Sequence, residues 1–493
     1  MKKKLAVLSI CSALSFSLLV GVQPNKTKAA PELEHYVVAY KGKLPSNFSE
    51  RIQKSGGKVE RIIEEIGIVE VASADPTFLT NVKKDSNVQT AGRELEAYLE
   101  TDPDAKVNFT PGTPNGEKVT LDADAKSYWD KQWDMQRLTG DGISYEMNDG
   151  NEDTVVAVID TGIDFSHPDL KDNADLAGSK TFVPGTTDAW DKNGHGTHVA
   201  GSIAANGKVK GVGPDLTVRA YRVFGATGGA QQSWITDAIV AAANDGVEVI
   251  NMSIGGWRWM AHNLEEKGDS ASMVAYHRAV QYAIQKGVTV VVSSGNDSKD
   301  LNNLHDMQAY WKATYGLDIK GPSRVVPAQI PGVITVSSSN QWSSDKIAFY
   351  SNYGNAIDVA GPGGDNGPLY DSLYRQDPAG NYLNKRDFTY RTLSTYPSYP
   401  VGVTEAAPNG TNATTQFTDG KWHGYSYLHG TSMAAPKVAG IAGVIKAAHP
   451  EYTPAQVTAA IRQSAIDFGK VGVDPLYGAG EANIYNFLLN DTK

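Results

Sequence analysis

The sequence predicts an α/β protein, with a mainly parallel β-sheet carrying helices on both faces and a small α+β domain in front of it. From residue 153 onward, strands alternate with helical segments at 195–205, 235–244 and 271–286. The strands at 154–160, 247–252 and 288–292 are nearly continuous apolar runs, which are typical of parallel strands buried on both faces. Residues 33–100 instead follow the order strand–helix–strand, strand–helix–strand, which predicts a ferredoxin-like split βαβ sandwich.

Residues 1–29 have the pattern of a secretory signal peptide. A basic start at Lys2–Lys4 precedes an apolar run that reaches Val22, and Ala29 and Ala30 supply small residues for a cleavage point. The alternative is a membrane anchor, but polar residues and glycine interrupt a run that is short for a spanning helix. We therefore expect a secreted, extracellular protein.

The net charge excludes two classes of partner, and the cysteine content excludes disulfide bonds. The net charge is −10, and removal of residues 1–29 takes away five lysines and no acid, which leaves −15. Such a chain suits neither nucleic acid nor an anionic membrane. Because Cys11 is the single cysteine, the exported chain must be held by core packing without disulfides. We expect a soluble monomer.

The small domain is expected to span residues 30–100. Strands are predicted at 35–40, within 59–71 and along 88–99, with helices at 46–55 and at 75–84, the second beginning at an Asp75 cap. Residues 101–128 are rich in Pro, Gly and Asp and predict a surface linker.

The main domain is expected to span residues 129–493. It ends with a helix at 453–466. Within it, residues 363–427 are polar and show little periodicity, which predicts long surface loops.

The apolar segment 437–449 predicts a buried helix, and Ser432 is expected to lie in the first turn of that helix. Unpaired N–H groups and the helix dipole at such a terminus favour negative charge on the carbonyl that a serine attacks. For an isolated serine the simpler interpretation is an N-cap. A nucleophilic serine also needs a base and a group that orients the base.

Two upstream segments offer those partners. Asp160 ends an apolar strand, where α/β sheets place their sites, and His195 begins a helix rich in small residues. The segments Asp160-Thr-Gly, His195-Gly-Thr-His-Val-Ala-Gly and Gly-Thr-Ser432-Met-Ala-Ala-Pro resemble the three signatures of the subtilisin family of serine endopeptidases, peptidase family S8. Their order along the chain matches the family as well.

The resemblance implies a role for each residue. Asp160 orients His195, which acts as general base toward Ser432, whereas His198 and His167 are expected to pack structurally. Asn296, in a Gly-Asn turn after a buried strand, is expected to donate to the oxyanion.

The same resemblance assigns the substrate strand and the small domain. Ser253, Ile254 and Gly255 are expected to pair with an extended peptide substrate. Residues 30–100 resemble a propeptide that assists folding and then inhibits the enzyme. Its cleavage is expected at Glu100–Thr101, in which case the pocket for Glu100 should hold a cation, and Arg258 and Arg324 are the nearest candidates.

No cofactor is required for this chemistry, and no metal ligand is assigned. A structural calcium ion is possible in the family, and Asp169 is present. However, the loop at 204–211 is shorter than the family's calcium loop and carries two lysines. The segment from Trp133 to Tyr145 resembles one branch of the family, the lantibiotic leader peptidases.

Three alternatives remain open at this stage. Asp160-Thr-Gly is also the signature of aspartic proteases, but those need two such motifs. A catalytically silent binding protein could retain the scaffold. Within the enzyme interpretation, a broad-specificity extracellular degradative subtilisin competes with a protease dedicated to maturing one precursor.

Overall fold

The small N-terminal domain is a four-stranded antiparallel sheet with two helices on one face. The computed structural model describes residues 33–99, 119–225, 229–260, 270–399, 401, 416–418 and 424–491. In the first of these ranges the strand order is β2-β3-β1-β4, which is the split βαβ arrangement. The elements are β1 (Glu34–Tyr40), α1 (Phe48–Lys54), β2 (Lys58–Ile63), β3 (Ile68–Ser73), α2 (Phe78–Val82) and β4 (Val88–Arg93).

Strand β1 is buried on both faces. Tyr36 and Val38 pack with residues of α1 and α2 such as Ile52. Val37 and Ala39 belong to a second apolar cluster that is shared with the main domain. Because side chains alternate along β1, the face of this sheet that carries no helices packs against the main domain.

A seven-stranded parallel sheet organises the main domain in the described part of the chain. Its strand order is β16-β15-β13-β11-β7-β9-β8, and every neighbouring pair is parallel. The strands are β7 (Val155–Asp160), β8 (Lys180–Thr181), β9 (Thr217–Arg222), β11 (Val249–Met252), β13 (Thr289–Ser293), β15 (Ile334–Ser339) and β16 (Val359–Pro362). This confirms the predicted fold class.

Helices cover both faces of the sheet. The helices of the main domain, within the described residues, are α3 (Trp133–Thr139), α4 (Ile143–Met147), α5 (His195–Ala204), α6 (Gln232–Asn244), α7 (Ser270–Gln285), α8 (Leu304–Tyr315), α9 (Pro368–Gln376), α10 (Thr431–Ala448), α11 (Pro454–Ser464) and α12 (Ile484–Asp491). In β7, Val156 and Val158 join the core that contains α5 and α10. Ala157 and Ile159 join the opposite core, which contains α6 and α7. Burial on both faces explains why these strands read as uninterrupted apolar runs.

The remaining strands form three smaller sheets. One has the order β10-β5-β12-β14, one pairs β17 with β19, and one pairs β6 with β18. Their bounds are β5 (Glu96–Leu99), β6 (Thr120–Leu121), β10 (Gly229–Gln231), β12 (Ile254–Trp259), β14 (Ser323–Val326), β17 (Thr392–Thr395), β18 (Gln416–Phe417) and β19 (Tyr425–Leu428).

Two predictions about the small domain are wrong in detail. A single strand over 88–99 is not formed, because the chain leaves β4 after Arg93 and β5 joins another sheet. Helix α2 begins at Phe78 rather than at an Asp75 cap, because Asp75 Oδ1 accepts from Thr77 N at 2.8 Å in the turn before the helix.

The prediction that residues 363–427 form only surface loops is wrong within the described residues. They contain α9 and β17, and β17 packs against α5. Ser394 Oγ donates to His198 O at 2.9 Å and Thr395 Oγ1 donates to Thr197 O at 2.7 Å. A buried strand that binds a helix backbone through hydroxyl groups shows no alternation of apolar residues, so periodicity does not predict it.

The boundaries at residues 29, 100 and 128 stay predictions. Residues 1–32 and 100–118 lie outside the described ranges, and the described end of the predicted linker contains β6, with Leu121 and Tyr128 buried in the main core. Within those ranges, no helix combines the length and the apolar character that crossing a bilayer requires.

Candidate active site

Asp160 and His195 meet at the carboxyl end of the central sheet. Asp160 is the last residue of β7 and is fully buried. His195 Nδ1 lies 2.9 Å from Asp160 Oδ1 and 3.0 Å from Oδ2. Because a carboxylate accepts, Nδ1 carries the proton and Nε2 is left as the basic nitrogen.

The loop in front of His195 is held by Asp191. This buried carboxylate accepts from Gly194 N at 2.8 Å and from Thr197 N at 2.9 Å. It therefore satisfies N–H groups at the start of α5, which carries no acidic residue in its own first turn. The imidazole is thus carried on a fixed helix terminus.

The other two histidines near the site make different contacts. His198 Nε2 lies 3.1 Å from Ser426 O, and burial together with the charge of Lys437 lowers the pKa of His198 to about 3. His167 is buried, with Nε2 2.8 Å from Gly424 O. Both are placed as packing histidines, as expected from the sequence.

Ser432 occupies the first turn of α10. Helix α10 begins at Thr431, in agreement with the predicted place of Ser432, and Gly430 precedes it with φ 149°, a conformation that favours glycine. Ser432 Oγ donates to Ser253 O at 3.1 Å, and Ser253 Oγ donates to Ser432 O at 2.8 Å. These reciprocal bonds join the serine to the start of β12.

Asn296 faces the same helix terminus from the turn after β13. Its Oδ1 accepts from Thr431 N at 3.0 Å and from Thr431 Oγ1 at 2.9 Å. Since a backbone N–H can only donate, the atom that faces Thr431 must be the amide oxygen, and Nδ2 is turned away from it. A Cβ on Gly430 would lie 3.3 Å from Nδ2, so glycine lets the amide donor approach closely.

The end of the small domain lies in a cleft beside Ser432. Strand β5 is inserted antiparallel between β10 and β12, with Leu99 opposite Ile254 and Tyr98 opposite both Gly255 and Gly229. Leu99 is buried and Tyr98 is half exposed, as expected for a strand whose side chains alternate between the two faces of its sheet. Glu100 and Thr101 lie outside the described residues.

Two glutamates that the sequence analysis missed anchor this tail. Glu94 Oε1 accepts from Ser233 N at 2.9 Å, and Glu70 Oε2 accepts from Ser233 Oγ at 3.0 Å. Burial, with Glu70 close by, raises the pKa of Glu94 to about 8. The sequence offered one signal for this contact, since α6 has no acidic residue in its own first turn. The tail supplies a carboxyl group at that position instead.

The loop expected to be calcium-deficient is filled by protein donors. Asp169 Oδ2 accepts from Val209 N at 3.0 Å and Asp169 Oδ1 accepts from Tyr425 OH at 3.1 Å. The Lys210 carbonyl accepts from Gln132 Nε2 at 2.9 Å, and Lys208 Nζ donates to Ala123 O. The oxygen atoms that could bind calcium here already accept hydrogen bonds from N–H, hydroxyl and ammonium groups. These residues therefore do not fit calcium.

Comparison with known proteins places the chain in one family. A model of the subtilase family, peptidase S8, matches residues 151–480. The epidermin leader peptide-processing serine protease of Staphylococcus epidermidis is 27% identical over 93% of this chain and 93% of that protein. The nisin leader peptide-processing serine protease of Lactococcus lactis is 31% identical over 67% of this chain and 46% of that protein.

Solved structures agree with this placement. The epidermin leader peptide processing protease from Staphylococcus aureus superposes with a TM-score of 0.71 at 27% identity and covers 94% of this chain and 99% of that one. The nisin leader peptidase of Lactococcus lactis superposes with a TM-score of 0.61 at 26% identity, over 75% of this chain and 96% of that one.

Proposed function

Because this chain belongs to the subtilase family of serine endopeptidases, we propose that Asp160, His195 and Ser432 form its catalytic triad and that it is made as a self-processed zymogen. One observation carries the proposal. Ser432 Oγ is bound to the Ser253 carbonyl, and the next residue, Ile254, pairs with Leu99 at the end of the inserted tail. The chain's own peptide thus reaches the nucleophile as an added strand.

In this proposal each of the three residues has one role in the chemistry. His195 Nε2 takes the proton of Ser432 Oγ as that oxygen attacks the scissile carbonyl, and Asp160 stabilises the imidazolium that forms. His195 then returns the proton to the leaving amine. The Asn296 amide and the Ser432 N–H donate to the tetrahedral oxyanion, and the helix terminus favours its charge.

The tail supports the zymogen part of the proposal. In this scheme residues 30–100 are the propeptide, the bond Glu100–Thr101 is the first substrate, and the tail through Glu100 stays in the cleft as an inhibiting product. Removal of residues 1–29 during secretion precedes this cleavage.

For the natural substrate, we propose a leader-bearing precursor peptide of the lantibiotic type. The support is the similarity to two proteases named for processing such leaders, one of which aligns along nearly the whole chain. The alternative, a broad-specificity degradative enzyme, has support of the same kind, because subtilisin E of Bacillus subtilis is 27% identical over 98% of this chain.

Intact mass and N-terminal sequencing test self-processing. The secreted protein is compared with its Ser432→Ala variant and with Ser464→Ala, a matched control at another buried serine. We expect the wild type and the control to begin near Thr101 and the Ser432→Ala variant to keep residues 30–100. Identical cleavage of all three would show that another protease activates the enzyme.

Substrate class needs a separate assay. The processed enzyme is given a lantibiotic-type precursor and, in parallel, unfolded casein. A single cut between leader and core with slow casein hydrolysis supports the maturation role. Rapid cleavage of casein at many bonds, with no preference for the precursor, would favour the degradative alternative.

A further inference from the structure

The inserted tail has different partners along its two edges. On the β10 side it is paired from Tyr98 back to Glu96. On the β12 side the ladder stops at Tyr98. Beyond that point a side chain replaces the strand, because Arg258 Nη2 donates to the Glu96 carbonyl at 3.2 Å.

The guanidinium of Arg258 is fixed in place by the main domain itself. Arg258 is 2% exposed, Nε donates to Ser272 Oγ at 2.7 Å and Nη1 donates to Trp257 O at 2.9 Å. Gln232 Oε1, hydrogen-bonded to the same Ser272 hydroxyl, lies 3.4 Å from Nη2. Since these groups all belong to residues 232–272, the guanidinium keeps its orientation without the tail.

Gly256 makes room for this arrangement. A Cβ at this position would lie 2.9 Å from Arg258 Nη1 and 3.4 Å from the Glu96 carbonyl oxygen. Any side chain here would therefore push the guanidinium off the peptide. A glycine on the substrate strand and an arginine two residues later act together.

Arg258 loses partners when the tail leaves. The Glu96 carbonyl departs with it, and so does the carboxylate of Glu94, which feels the Arg258 charge. Nη2 then keeps only the 3.4 Å contact with Gln232 Oε1, so the empty cleft favours a peptide that supplies a carbonyl there. This is the requirement for a binding residue rather than for an ordinary surface arginine.

We propose that Arg258 is a substrate-binding residue that donates to the main-chain carbonyl of the peptide residue in the place of Glu96. That residue lies three positions before the one that pairs with Ile254, so the enzyme favours long N-terminal extensions, such as leaders, over short peptides. This inference rests on the proposed peptidase function. It also reassigns Arg258, since the guanidinium binds backbone instead of serving as the cation for Glu100.

A pair of tail peptides isolates this contact. The first is the acetylated hexapeptide Glu94–Leu99, and the second has an (E)-alkene in place of the Glu96–Ala97 amide. Inhibition constants are measured on the processed enzyme with a short substrate that ends before the Glu96 position. The enzymes are the wild type, Arg258→Met, Arg258→Lys and the control Arg324→Met, whose arginine is exposed and lies opposite Arg258 on β14.

We expect the alkene to weaken inhibition of the wild type and of Arg324→Met by about 10-fold to 100-fold, as for a hydrogen bond from a charged donor. In Arg258→Met this ratio should be smaller than in the wild type by about 10-fold, and the part that remains reports the N–H of Ala97, which the alkene also removes and which belongs to the residue paired with Ala230. The same ratio in Arg258→Met as in the wild type would overturn the proposal. Equal inhibition of the wild type by both peptides would overturn the proposal. So would a loss of short-substrate turnover in Arg258→Met and Arg258→Lys alike, because that pattern indicates a structural role.

A second measurement does not depend on activity. Amide hydrogen exchange of residues 95–99 is followed in the full-length Ser432→Ala protein with and without Arg258→Met. We expect faster exchange, by about 10-fold, in the Arg258→Met protein and no change in Arg324→Met. Unchanged exchange in both would refute the contact. Failure of the proposed function would appear instead as a wild-type enzyme that hydrolyses no peptide.

Discussion

Lys437→Met should strongly destabilise the protein, because it breaks a buried ion pair between α10 and α3. Lys437 Nζ lies 3.0 Å from Asp134 Oδ2, and the two side chains are 0% and 1% exposed. The same ammonium donates to Met433 O at 3.0 Å, one residue after Ser432. The pair therefore ties the first turn of α10 to α3, the segment that resembles the leader peptidases.

The magnitude follows from burial. Removing one partner leaves the other charge without compensation, which costs about 3–5 kcal/mol in the free energy of unfolding. Replacing both, in Asp134→Leu with Lys437→Met, removes both desolvation penalties and should cost less than Lys437→Met alone. The matched control is Lys180→Met, since Lys180 Nζ lies 2.6 Å from Asp245 on the surface and should contribute below about 1 kcal/mol.

Urea unfolding in the Ser432→Ala background, which avoids self-digestion, measures these differences from the transition midpoints. The double variant distinguishes a broken pair from a simple loss of packing. A Lys437→Met cost no larger than that of Lys180→Met would refute the reasoning, and so would a double variant less stable than either single variant.

Three further predictions concern the site. Asn296→Ala should lower kcat by about 10²–10³ with little change in KM, because the donor acts on the oxyanion; steady-state kinetics against Asn303→Ala checks this, and an unchanged kcat would contradict it. Because the pKa of Glu94 is raised to about 8, its contribution to tail binding is complete below the usual pKa near 4.5 and is lost as the pH rises through 8. Co-elution of the cleaved fragment with the enzyme should therefore fall as the pH rises from about 5 to 8 and level off above that, and the fall should be absent in Glu94→Gln. EDTA should shift the melting temperature by less than about 2 °C, since protein donors fill the loop around Asp169; a large drop would show a metal site that supports the fold.

Apolar patterning was sufficient for the main architecture. The strand that ends at Asp160 is apolar at nearly every position because both of its faces are covered, so the buried parallel sheet is visible in the sequence itself. The three motifs likewise identified Asp160, His195 and Ser432, because each of these residues lies in a short segment whose conformation is set by its own residue types. That their roles are catalytic remains the proposal above.

Where the predictions were wrong, the missing information lay in distant segments. Strand β5 separates from β4 because its hydrogen-bonding partners are more than 130 residues later in the chain. Strand β17 is polar because its hydroxyl groups bind the carbonyls of α5, so its sequence shows no apolar periodicity.

The sequence by itself determined the fold class and the residues that can carry the chemistry, because apolar periodicity and turn residues act locally. Tertiary structure alone decided that Glu94 meets the start of α6 and that Arg258 reaches the Glu96 carbonyl. Each of these is a single polar contact between segments far apart in the chain. Such contacts depend on the position of an atom in space, and no local pattern of residue types encodes that position.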